Sequence, residues 1–92
     1  MDYNEIERVV RMMPKTFDSH DFIRMFIWEC PEQYGRLLIS HNNVATAHGE
    51  IGIALLTQSE KGELAIEKRE EVQSEDIFKN VRPCASWIRT DI

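Results

Sequence analysis

The spacing of apolar residues changes once along this chain, near Gly62, and that change constrains the fold more than any other feature. Before Gly62 they recur every three or four residues, one stripe per helix; after it they alternate, as in a strand with one face buried. Ile6, Val9, Val10 and Met13 mark a first helix, with Asn4 as its expected N-cap, Glu7 in the capping-box position and Pro14 as its stop. Asp18 opens the second helix: Phe17 stands at N′ and Phe22 at N4, the pair that forms a hydrophobic staple, and Ser19 is a neighbouring alternative cap. Phe22, Ile23, Phe26, Ile27 and Cys30 give this helix a broad apolar face, while Met25 and Trp28 lie off it.

Pro31 suits the first turn of a further short helix with the stripe Tyr34, Leu37 and Leu38, closed by the turn Ser40-His41-Asn42-Asn43. Val44 to Gln58 is the third main helix, burying Val44, Ala47, Ile51, Ala54 and Leu55 with His48 at the edge of the stripe. Gly49 and Gly52 each cost roughly 1 kcal/mol against Ala in a helix interior. They imply close approach to another helix, or a helix that starts nearer Glu50. Beyond the turn Glu60–Glu63, Leu64 and Ile66 alternate with polar neighbours in a strand running towards Val72. Ser74–Phe78 reads as a capped turn whose Ile77 and Phe78 plug the core, and Cys84–Ile88 as a second strand pairing with the first. The expected fold is α+β: three or four helices followed by a two-stranded β-hairpin, in one domain spanning residues 1–92.

Helices followed by a hairpin, carried here by Ser19–Ser40, the turn His41–Asn43, the helix Val44–Gln58 and the hairpin Glu63–Ile88, resemble the winged helix-turn-helix architecture. The stretch Ser74–Trp87 is also similar to the tail of small bacterial winged-helix-like proteins. The resemblance implies that Val44–Gln58 corresponds to the helix that enters the DNA major groove, and that the wing lies within Lys61–Arg82. The sequence departs from that pattern. No Lys or Arg stands between Arg36 and Lys61, and the face opposite the buried stripe carries Thr46, Gly49, Glu50, Ile53 and Thr57. Base readout wants Arg, Lys, Asn or Gln, with cations nearby for phosphates.

Charge supports this exclusion. Lys and Arg number 11 against 16 Asp and Glu, a formal net charge of −5. The cation-rich stretch is the wing, where Lys61, Lys68, Arg69, Lys79 and Arg82 are the candidate phosphate contacts, yet Glu67, Glu70, Glu71, Glu75 and Asp76 are interleaved with them.

Chemistry finds little foothold. His20, His41 and His48 form no HxxxH pair or Cys/His cluster, so a metal site has no support in sequence, and no cofactor motif is present. Cys30 lies on an apolar face where burial deadens a thiol, and Cys84 reads as a second small hydrophobe. The expectation is a protein that is not an enzyme. The start is acidic and no apolar run reaches membrane-spanning length, which reads as a cytoplasmic chain with no membrane partner. Two features suggest an interface with a protein partner or a second copy. Ile53 stands on the polar face with Thr46, Glu50 and Thr57, and Trp28 lies off the core face of its helix, where the first helix would cover it if no partner did. DNA contact through the wing is the alternative.

Overall fold

A computed structural model describes residues 2–92. Four helices, α1 (Tyr3–Val10), α2 (Ser19–Glu29), α3 (Pro31–His41) and α4 (Val44–Glu60), precede an antiparallel hairpin of β2 (Ile66–Glu75) and β3 (Val81–Arg89). The expected order of helices then hairpin is therefore present. A three-residue strand, β1 (Thr16–Asp18), joins it and makes a sheet of order β1-β3-β2. Three residues are too few to show an alternation, so β1 is defined only by its partner. Phe17 pairs with Trp87, Thr16 with Ile88 and Asp18 with Ser86.

Local signals set the helix boundaries. Asp18 caps α2 by accepting from the Asp21 N–H at 2.9 Å, while the Asp21 carboxylate accepts from the Asp18 N–H at 3.2 Å. This reciprocal pair satisfies two otherwise orphaned donors. The staple forms too, with the buried rings of Phe17 and Phe22 6.4 Å apart. α2 ends at Cys30, and Pro31 starts α3 at its first position. Asn42, at φ 52°, ends α3 in the left-handed conformation that asparagine tolerates, and Asn43 caps α4 through the Thr46 N–H at 3.0 Å. The first helix corrects one expectation: its cap is Asp2, which accepts from the Asn4 N–H at 2.9 Å. An aspartate two residues upstream offers the same oxygen with a full charge at the positive helix end.

The apolar stripes converge on the inner face of the sheet. Ile6, Val9, Phe22, Phe26, Ile51, Leu55 and Trp87 are the largest fully buried side chains. Each contributes roughly 1.5–3 kcal/mol relative to exposure. The Trp87 indole N–H donates to the Ser19 hydroxyl at 3.0 Å, and that hydroxyl donates to the Ala85 carbonyl at 3.3 Å, so the start of α2 is bonded to β3 twice. Arg89, almost fully buried, donates to the carbonyls of Arg11 and Met13 at 2.9 and 2.8 Å and pairs with Asp91 at 2.8 Å. It satisfies backbone groups left open where the chain leaves α1.

The hairpin turn departs from expectation at one residue. Asp76 does cap the turn, accepting from the N–H groups of Phe78 and Asn80 at 2.8 and 3.0 Å, with Lys79 left-handed at φ 66°. Ile77 packs half-buried against the core, but Phe78 is 58% exposed and plugs nothing. The turn reverses the chain beyond the end of the core, which leaves its tip outside. β2 is an edge strand guarded by a bulge between Lys68 and Glu71 and by a run of charged residues, the features that discourage edge-to-edge pairing. Among the described residues no helix is long and apolar enough to cross a membrane. Asp18→Ala is expected to cost about 1 kcal/mol, lowering Tm by roughly 4–8 °C, while Asp18→Asn stays near neutral because asparagine caps equally well; thermal unfolding followed by circular dichroism checks both.

Candidate functional site

The hairpin does not stand clear of the helices. Its tip folds onto the first turns of α4, where the Phe78 ring lies 6.3 Å from that of His48 with planes 17° apart. Arg24 of α2 holds the tip from the other side, donating to the carbonyls of Glu75 and Asp76. Between α4, the start of α2 and the hairpin lies a cleft of about 540 Å³, walled by Ile23, Val44, His48, Phe78 and Arg82. A second cleft of about 270 Å³ shares Ser19, Gly49 and Gly52 with the first and extends past Ile53 to Lys68 and Trp87. Together they form one groove along α4. Gly49 and Gly52 account for its floor: a Cβ at either position would meet nothing within 4 Å. The expected close approach of another helix is absent, and the helix does begin at Val44. The glycines leave open space where side chains would fill the groove.

The structure separates the interface residues read from the sequence. Ile53 is 60% exposed at the rim of the groove. Thr46 is exposed, whereas Glu50 and Thr57 are half-buried, and none of the three lines the groove. Trp28 is 80% exposed on the outer face of α2 and lies apart from the groove. The first helix packs on the opposite, buried face of α2 and leaves Trp28 uncovered, contrary to the expectation that α1 would lie on it.

The five candidate phosphate contacts are spread from the end of α4 along the hairpin. Lys61 sits at the C-cap of α4, Lys68 and Arg69 on β2, Lys79 in the turn, and Arg82 on β3 with its Nε 3.7 Å from Asp76. The cations of the N-terminal region are spent locally: Arg8 on Glu5 and Glu29, Arg11 on Glu7, and Lys15 on the Ile92 carbonyl.

His48 fills the role expected of a core-margin histidine. Its Nε2 is 2.7 Å from the Tyr34 hydroxyl, and burial holds its pKa below the ordinary value, against the opposing charge of Asp76 and with a small contribution from His20. Cys30 is buried, as expected: burial, and then its bond and proximity to the Glu5 carboxylate, push its thiol up to about 11. Cys84 is a different case. It is half-buried in the wall of the groove, its thiol raised by burial, lowered by the backbone N–H groups of His20 and Ser19, and raised again by the nearby Asp18 and Asp21 carboxylates.

Asp18, His20 and Cys84 place three potential ligand atoms within 4.8 Å of one another. Sequence spacing did not bring them together, because Cys84 lies far along the chain. The missing signal is the β1–β3 register. Asp18 pairs with Ser86, so Cys84 is two residues further along the same face of β3, beside the first turn of α2 that carries His20.

No protein family matches this chain, and no curated protein or solved structure matches it either. The architecture itself, helices followed by a C-terminal hairpin in an α+β domain, is consistent with a winged-helix-like fold in general.

The depressed pKa of His48 makes stability depend on pH. Because the unfolded chain takes up a proton at the ordinary value of 6.5 while the folded one resists it, this contribution is fully present above pH 6.5 and declines as pH falls below it. The urea midpoint is expected to drop between about pH 6.5 and 5, and His48→Gln to flatten that decline.

Proposed function

We propose that this chain is a non-catalytic binding module whose partner is a protein, a second copy of the chain being the first to test, and whose contact surface is the exposed side of α4 with the groove beside it. Ile53 carries this reading: it is 60% exposed on a 17-residue helix without a single Lys or Arg, at the rim of a groove floored by glycine. Covering such a side chain contributes up to about 1.5–3 kcal/mol, and the space above Gly49 and Gly52 accepts an apolar anchor from the partner. An uncharged centre with cations such as Lys68 and Arg82 at the rim is the composition of a protein interface.

A second reading, contact with DNA phosphates through the hairpin, is favoured by a different observation. Lys61, Lys68, Arg69 and Lys79 make no ion pair among the described residues, whereas every arginine has one except Arg69. Against it, Glu67, Glu70, Glu71 and Glu75 share the hairpin with these cations, and Phe78 stacks over the turns of α4 that a major groove would receive. Duplex binding of this kind is sequence-independent, with a log–log salt slope no steeper than about −4, as four phosphate contacts dictate. Fluorescence anisotropy with a labelled duplex at several salt concentrations measures it.

Sedimentation equilibrium of the full chain tests the first reading. Association is expected to weaken at least ~10-fold in Ile53→Asp. Gly52→Ala is expected to raise stability by about 0.5–1 kcal/mol while also weakening association, because it fills the groove. A chain that stays monomeric throughout, and that retains a duplex with a Kd below about 1 μM at physiological salt, overturns this reading in favour of the second.

A further inference from the structure

We propose that Asp18, His20 and Cys84 form a binding site for a zinc-class divalent cation, with the fourth coordination position open to the groove along α4. Their ligand atoms lie within 4.8 Å of one another, and a tetrahedral zinc ion with bonds of about 2.0–2.3 Å holds its ligand atoms roughly 3.3–3.8 Å apart. The cluster is thus within about an ångström of a ligating triangle.

Each residue has a free ligand atom. Asp18 uses Oδ1 for the cap on Asp21, and its Oδ2 makes no hydrogen bond among the described residues. The Nδ1 of His20 is buried and meets no hydrogen-bond partner among the described residues, a costly state that a bound ion relieves. Cys84 is a free thiol. One sulfur, one imidazole nitrogen and one carboxylate oxygen make a borderline-soft set that suits zinc over magnesium or calcium. On binding, the thiol proton leaves to solvent, and the thiolate and carboxylate together neutralise the charge of the ion.

The site occupies a strategic place. Asp18 ends β1, His20 is in the first turn of α2, and Cys84 lies on β3 just before the stretch that pairs with β1. A bound ion therefore pins the hairpin to the β1–α2 corner and fixes one wall of the groove. His20 and Cys84 both line that groove, which leaves water, or a donor atom from a partner, to complete the coordination. The proposal stands whether or not the groove takes a protein.

Cobalt(II) titration of the reduced, metal-free full chain is the test. Tetrahedral d–d bands in the visible and a thiolate-to-cobalt charge-transfer band in the near ultraviolet are expected, saturating at one ion per chain and displaced by zinc. Cys84→Ser is expected to abolish the charge-transfer band. His20→Gln and Asp18→Asn are each expected to weaken binding at least ~10-fold, and the asparagine keeps the helix cap so that the fold is retained. Cys30→Ser and His41→Gln leave both bands and affinity unchanged. Zinc raises the urea midpoint of the parent chain but not that of Cys84→Ser. No charge-transfer band, a band that survives Cys84→Ser, or one lost in Cys30→Ser overturns the proposal, as does an affinity unmoved by both His20→Gln and Asp18→Asn.

Discussion

The pairing of Phe17 with Trp87 is the contact on which the arrangement depends. β1 has only three residues, yet it fixes where α2 begins relative to β3. Once Phe17 lies against Trp87, the Asp18 cap starts α2 at the sheet edge, and the Ser19 hydroxyl falls within reach of both the indole N–H and the Ala85 carbonyl. The staple between Phe17 and Phe22 then sets the angle at which α2 leaves the sheet. α1, α3 and α4 complete a core already anchored at this corner. Without β1 the hairpin would be a two-stranded ribbon, marginal by itself in water.

The same corner explains why the hairpin lies against the helices. Arg24, one turn after His20, reaches the tip carbonyls, and Phe78 covers His48. The tip is drawn onto the helix and encloses a groove. Lys68, Arg69 and Lys79, which make no ion pair among the described residues, lie along the hairpin, while the arginines of the helices are tied to neighbouring carboxylates. The electrostatic field is consequently patchwork.

How far each feature was legible depended on the range of the interaction behind it. Asp18 with Phe17 and Phe22, Pro31 at the start of α3, and the Ala47–Leu55 stripe are all written within a single turn or helix, and each is in place. Phe78 and Trp28 misled for the opposite reason. Both are large and apolar, and whether such a residue is buried depends on what packs there; the chain has no element left to cover either. Gly49 and Gly52 signal that a side chain is unwanted, but not whether the space belongs to a helix or to a groove. Arg89 carries no local signal of burial, and only packing reveals that carbonyls from the end of α1 absorb its donors.

The residue order alone therefore determined the helical stripes, the cap of α2, the switch to a hairpin and the cation-free character of α4, because these rest on periodicity and on contacts between near neighbours. Tertiary structure alone decided the rest: the short strand that closes the sheet, the fold of the hairpin tip onto α4, and the meeting of Asp18 and His20 with Cys84. The physical reason is register. A pairing between distant segments is specified by the fit of whole faces, Phe17 against Trp87, and no single stretch of the chain contains both halves of that fit.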